Sequence, residues 1–215
     1  MVNIIRNVAD IEEGLAALVR IDARLAEIAR QAGPLPLRLS EPGFAGLAHI
    51  IVSQVVSRAS ANAIWQRIGD AVGDVTAQTY LAVATPEVPQ FGLSRAKART
   101  LHHVAVAIVE GRLDLDALNT LDEAKAFAQL MTLKGVGPWT AQVYLMFCCG
   151  YADIFPHGDV ALQAAVARAF HMQTRPSAKS LGEIACQWAP WRSVAARLFW
   201  SYYASVTRRD AVPIA

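Results

Sequence analysis

Gly135 and Gly137 bracket Val136 and are followed at once by Pro138, so the stretch Leu133 to Ala141 (LKGVGPWTA) reads as a tight turn that launches a helix. Glycine reaches positive φ without a Cβ clash, and proline suits the first helical position, where its missing N–H costs nothing. Both glycines can take positive φ and expose backbone N–H groups. The backbone N–H groups of such a turn have no intrahelical partner, and together with the helix dipole they form a docking point for a phosphate. An ordinary helix–helix hairpin uses the same residues, so the turn alone leaves both readings open. The carboxylate that follows in Pro156-x-x-Asp159 moves the balance toward a functional turn.

On either side of this turn apolar residues recur at helical spacing. Ile11, Leu15, Leu18, Leu25 and Ile28 mark one helix over 10–31, stopped by Gly33-Pro34. After a loop over 34–42, an apolar helix is expected at 43–56. Ser57 or Ser60 can cap a helix to Val72, and Thr76 one to Ala84 before a turn at Thr85-Pro86. Ser94 opens a helix with Leu101, Val104 and Ile108 facing inward, and Gly111 ends it. A short helix at 114–118 precedes the two hairpin arms, 121–132 and 138–149. Asp159 occupies an N-cap position for a helix to Phe170, Ser177 starts the next, and Pro190 starts the last, to Val206. No run alternates apolar and polar residues as a half-buried strand does, so the expected class is all-α.

The chain has 215 residues, 54% of them hydrophobic, enough to fill a core. No apolar run approaches the roughly 18 residues of a membrane span, and the first residues lack a secretory layout. A cytoplasmic protein is expected, nucleoid-associated if bacterial, with no membrane partner. The three cysteines, Cys148, Cys149 and Cys186, show no metal-ligand spacing and are expected as buried, reduced thiols. His49, His102, His103, His157 and His171 show no ligand pairing either. Net charge is only +2, but from Met131 onward eight Lys/Arg stand against four Asp/Glu. The half with the hairpin is the basic half, as expected of a surface that meets phosphates.

The hairpin and Asp159, with IIVSQVVSRASANAIW (50–65), FGLSRAKARTLHHVA (91–105) and WAPWRSVAARLFW (188–200), resemble the helix-hairpin-helix superfamily of DNA glycosylases. The similarity is greatest to its alkylation-repair branch, the 3-methyladenine DNA glycosylase II type. The resemblance implies one two-lobed unit over 1–215. Lobe A covers about 44–150 with the hairpin 133–141, lobe B covers 1–43 plus 151–215, and the active site lies in the cleft between them. With about 40 residues ahead of the core, a compact form without the relatives' N-terminal α/β domain is expected.

Residue by residue, the resemblance makes Asp159 the catalytic carboxylate. It would stabilise an oxocarbenium-like transition state and position the attacking water. Asp153 holds its loop. Trp139 stands where strand-nicking relatives carry a lysine nucleophile, which implies a monofunctional enzyme that uses water. Trp139 and Trp200 are expected to line the base pocket, an indole face suiting a cationic alkylated purine, with Phe44 and Tyr144 as further walls. The family's pocket tyrosine four residues after the hairpin tryptophan is Val143 here. Val55 is the expected minor-groove wedge and Gln54 a partner of neighbouring bases. Ser57, Lys134, Gly135, Val136, Gly137 and Thr140 complete the DNA-binding set, with Arg58 and Arg192 as further phosphate contacts. The main-chain carbonyls of Met131, Leu133 and Val136 are implied to hold a monovalent cation, Na⁺ or K⁺. No other cofactor and no iron–sulfur cluster is expected. The implied activity is hydrolytic excision of 3-methyladenine- or 7-methylguanine-type bases from double-stranded DNA by a monomer. Excision of deaminated or etheno bases, or DNA binding without catalysis, are the alternatives.

Overall fold

The computed structural model describes residues 3–85 and 90–207; the turn expected at Thr85-Pro86 runs into residues outside that range. Among the described residues the regular structure is helical, apart from an antiparallel bridge between Ile4 and Tyr151. The chain divides into two compact units, one made of 3–39 with 150–207 and the other of 40–85 with 90–149.

The first unit contains α1 (Val8–Ile21), α2 (Leu25–Ala32), α9 (Val160–Ala169), α10 (Ala178–Ala185) and α11 (Arg192–Thr207). Its core is α11, which packs on α2 and α9. A cluster of Phe155, Trp188, Phe170 and Phe199 fills the space beside it, with Trp188 and Phe199 ring centroids 5.0 Å apart. Such aromatic pairs add about 0.5–1.5 kcal/mol beyond their buried area.

The single helix expected over 10–31 is in fact two, interrupted at Asp22. Asp22 is buried, with both carboxylate oxygens taken by Arg24 at 2.7 Å and a further bond from the Trp188 indole at 3.3 Å. The Arg24 guanidinium holds the Asp22 carboxyl below the usual carboxylate range, against the opposing effect of burial. A buried carboxylate needs such partners, and the helix breaks where they are reached. The last helix starts at Arg192, later than the expected Pro190, because the Asp153 carboxylate accepts the Arg192 N–H.

The second unit contains α3 (Gly43–Ser53), α4 (Arg58–Val72), α5 (Ala77–Val83), α6 (Arg95–Val109), α7 (Glu123–Met131) and α8 (Pro138–Phe147), with a 3₁₀ turn at Ala117–Thr120. Helix α3 is central, packing on α4, α6 and α8, while α7 packs on α8. Ser57, Thr76, Ser94 and Asp122 each cap a helix through a side-chain oxygen that accepts a backbone N–H. Helix α3 stops at Ser53, short of the expected 56, and the chain turns at Gln54 and Val55. Cys148 and Cys149 are buried, and burial pushes the Cys149 thiol up to about 12. Cys186 is exposed, contrary to expectation, at the end of the short helix α10.

Candidate functional site

In the second unit, α7 and α8 are the arms of the hairpin. Leu133 and Val136 are buried and anchor the turn, and the Val136 N–H donates to the Leu133 carbonyl at 3.1 Å. Gly135 has φ of 93°, and a Cβ built on it would lie 2.1 Å from Thr100 Oγ1. Only glycine fits there. Gly137, which could also take positive φ, is instead extended at φ −95° as the N-cap of α8. A Cβ on Gly137 would meet nothing within 4 Å. Its bareness serves neither conformation nor packing, and it leaves the N-terminus of α8 open to approach from outside. Pro138 is at the first helical position, Lys134 is exposed and Trp139 is half-buried.

Thr140 does not present its hydroxyl outward. It is 3% exposed, and its Oγ1 accepts the Gln54 side-chain amide at 2.6 Å. Two expected DNA contacts are thereby corrected: the Gln54 amide nitrogen is turned to Thr140, and only the backbone N–H of Thr140 remains in the open first turn of α8. Val136 likewise has a buried side chain and can offer only its main chain.

Val55 is not the mid-helix residue that a run of apolar residues would suggest. Its φ is 55° and its relative exposure 103%. A β-branched residue in this region costs about 1–3 kcal/mol and persists only where its surroundings over-determine it. Lys97 supplies that support, since its ammonium donates to the carbonyls of both Val52 and Gln54 at 2.7 Å. The same contacts neutralise the carbonyl end of α3, and burial lowers the Lys97 pKa. Sequence reasoning missed Lys97. Its acceptors lie 43 and 45 residues earlier, and no local pattern marks such a pairing. Ser57 is exposed, with its hydroxyl capping α4 through the Ser60 N–H.

Two expected pocket walls belong to the core of this unit. Tyr144 is fully buried, its hydroxyl oxygen accepts the Gly43 N–H at 2.9 Å, and burial raises its pKa well above the ordinary tyrosine value. Phe44 is buried against Tyr80, with ring centroids 5.6 Å apart. Tyr144 presents no face to a ligand, whereas Phe44 keeps an edge on a cavity of this unit.

In the first unit, Asp159 is the N-cap of α9, its Oδ1 accepting the Leu162 N–H at 2.9 Å and the Trp200 indole N–H at 3.3 Å. Trp200 is 0% exposed. It cannot stack on a base, and the pocket role expected of it is replaced by a positioning one, orienting the carboxylate. The loop before Asp159 is firmly held. Ser193 Oγ donates to the Tyr151 carbonyl and accepts the Ile154 N–H, and Asp153 takes a two-pronged ion pair from Arg192. Arg192 is thus committed to Asp153, which corrects its expected phosphate contact.

Among the described residues no group of three or more His, Cys, Asp or Glu side chains is placed to hold a metal ion. The hairpin carbonyls are a different donor set, neutral hard oxygens of the kind a monovalent cation takes. Leu133, whose carbonyl accepts one hydrogen bond, keeps a second lone pair for such an ion. Among the described residues no helix is long and apolar enough to cross a membrane.

Among the described residues a helical fold thus combines a glycine hairpin, a strained apolar turn and an aspartate that caps a helix. The family described as HhH-GPD superfamily base excision DNA repair protein matches residues 48–190, and this chain belongs to it. It is 24% identical over 190 residues to the alkylbase DNA glycosidase-like protein mag2 of Schizosaccharomyces pombe, covering 85% of this chain and 89% of that one. With the DNA-3-methyladenine glycosylase of Bacillus subtilis it shares 27% identity over 121 residues, 56% of this chain and 40% of the other. Curated relatives matched at 32% and 34% identity are spanned over only 37% and 21% of their own length. Among solved structures, the DNA-3-methyladenine glycosidase of Bacillus halodurans superposes with a TM-score of 0.79 at 27% identity, covering 93% of each chain.

Proposed function

We propose that this chain is a monofunctional DNA glycosylase that hydrolytically excises alkylated purines, of the 3-methyladenine and 7-methylguanine type, from double-stranded DNA in base excision repair. The observation that carries the reading is Asp159, a carboxylate fixed by two N–H donors at the head of α9. Excision breaks the bond from the sugar C1′ to the base nitrogen. Positive charge builds on the sugar, water adds its hydroxyl to C1′, and the proton released ends on the departing base or solvent. A carboxylate already oriented stabilises that charge without reorganising, an effect worth about 100-fold or more in rate.

An alkylated purine carries its own positive charge and leaves readily, so the chain needs no strong general acid. Trp139 supplies an electron-rich ring for such a cation and no amine to attack the sugar. The open N-terminus of α8, with Gly137 and the backbone N–H groups that follow, takes a DNA phosphate, and Val55 fills the space left by a flipped nucleotide. A Na⁺ or K⁺ on the carbonyls of Met131, Leu133 and Val136 would add positive charge beside that phosphate.

The test is incubation with duplex oligomers that each carry one defined lesion, scoring free base. Release of 3-methyladenine or 7-methylguanine is expected. Release of deaminated or etheno bases alone would replace the lesion class, and DNA binding with no base released from any duplex would make the chain a binding module.

A further inference from the structure

A half-open pocket of about 820 Å³ lies in the second unit, walled by one face of α6 and the residues leading into the hairpin. Arg99, His102 and His103 project from α6, and Lys134 comes from the hairpin itself, while Val106 and Leu133 form an apolar floor. Arg112 also lines it but is paired with Glu110 at 2.6 Å. Among the described residues no carboxylate belongs to the lining. Among the described residues, neither Arg99 nor Lys134 makes a salt bridge, and His102 Nδ1 is buried without a hydrogen-bond partner. These groups are close enough to act on one another. The His103 pKa is lowered by burial first and then by the charges of Lys134, His102 and Arg99.

We propose that this pocket is a second phosphate subsite, taking a backbone phosphate of the duplex whose neighbouring phosphate the hairpin holds. The inference rests on the reading of the chain as a DNA glycosylase. The Arg99 and Lys134 charges, which together with burial hold His103 toward its neutral form, stand without a carboxylate in the described lining, and an anion offsets their repulsion. A guanidinium and an ammonium suit phosphate oxygens, one through a planar fork and the other as a point charge. The pocket's open mouth suits a strand passing across it, whereas small-ligand sites bury most of their ligand. Lys134 belongs to both pocket and hairpin, so a strand on one is continuous with the other.

The test uses the full chain and the double variant Arg99→Gln/His103→Gln, whose side chains are not core residues. Affinity for undamaged and for methylated duplex is measured over a series of KCl concentrations, with circular dichroism confirming the fold. The expected result is an equal loss of affinity for both duplexes, roughly tenfold at low salt. The slope of log K against log [KCl] should become shallower by about 0.9, the value of one phosphate contact. Histidine ring signals of the wild type, followed by NMR, identify the source of the phosphate. Short duplex should move the His102 and His103 signals at micromolar concentration and inorganic phosphate only at far higher levels. An unchanged salt slope in the folded variant would overturn the subsite, as would inorganic phosphate moving both signals as readily as duplex. Failure of the glycosylase reading shows separately, as no base released by the wild type.

Discussion

The indole N–H of Trp200 lies 3.3 Å from Oδ1 of Asp159, joining α11 to the head of α9 across 41 residues of sequence. A tryptophan without exposed surface thereby sets the direction of the one carboxylate to which the chemistry is assigned. Trp200→Phe keeps most of the packing and deletes the donor. Single-turnover base release should fall about tenfold, since hydrogen bonds to charged groups are worth about 1.5–3 kcal/mol, while DNA affinity stays near wild type. An unchanged rate would mean that the Asp159 side chain is oriented by its cap alone.

Lys97 and the carbonyls of Val52 and Gln54 make a comparable prediction for the second unit. Lys97→Met removes both donations and leaves the end of α3 uncapped, at a cost of about 1–2 kcal/mol. Hydrogen exchange at 52–56 should accelerate, and affinity for duplex should fall several-fold. Exchange at wild-type rates would show that the positive φ of Val55 is held by something other than Lys97.

The two hairpin glycines should behave differently. Gly135→Ala meets Thr100 and a positive φ, and should cost about 2 kcal/mol or more in thermal stability. Gly137→Ala should be nearly neutral for the fold. Gly137→Glu should remain folded yet weaken binding to all duplexes, with no change in lesion preference, because it puts a carboxylate where a phosphate docks. Unaltered affinity in folded Gly137→Glu would make the hairpin purely structural.

Much of this organisation was legible because it is local. Ser57, Thr76, Ser94, Ser177 and Asp159 all cap the helices expected of them, each bonding to an N–H three residues on. The glycine hairpin and the helical class rest on equally short-range rules. Long-range partners were not legible. The burial of Asp22 is completed by Trp188, and Thr140 is paired with Gln54 and Tyr144 with Gly43. Tryptophan and tyrosine read as pocket walls from sequence because an amphipathic ring suits either a ligand or a core. Trp200 and Tyr144 proved to be core rings whose polar atoms are spent on Asp159 and Gly43.

With Trp139 in place of a lysine, base loss should proceed without a covalent enzyme–DNA intermediate. Borohydride added during turnover should trap no adduct, and the strand should stay intact at the abasic site until alkali cuts it. An adduct lost on Lys134→Gln would mean that an amine attacks the sugar, and the hydrolytic reading would fall.

The most direct measurement is base release by Asp159→Asn from duplex carrying 3-methyladenine or 7-methylguanine. Asparagine caps a helix about as well as aspartate, so the variant should fold and bind DNA as the wild type does. Its rate should fall about 100-fold or more, the loss expected when charge stabilisation at the transition state is removed. Wild-type turnover by a folded Asp159→Asn protein would contradict the assignment of this carboxylate as the catalytic group.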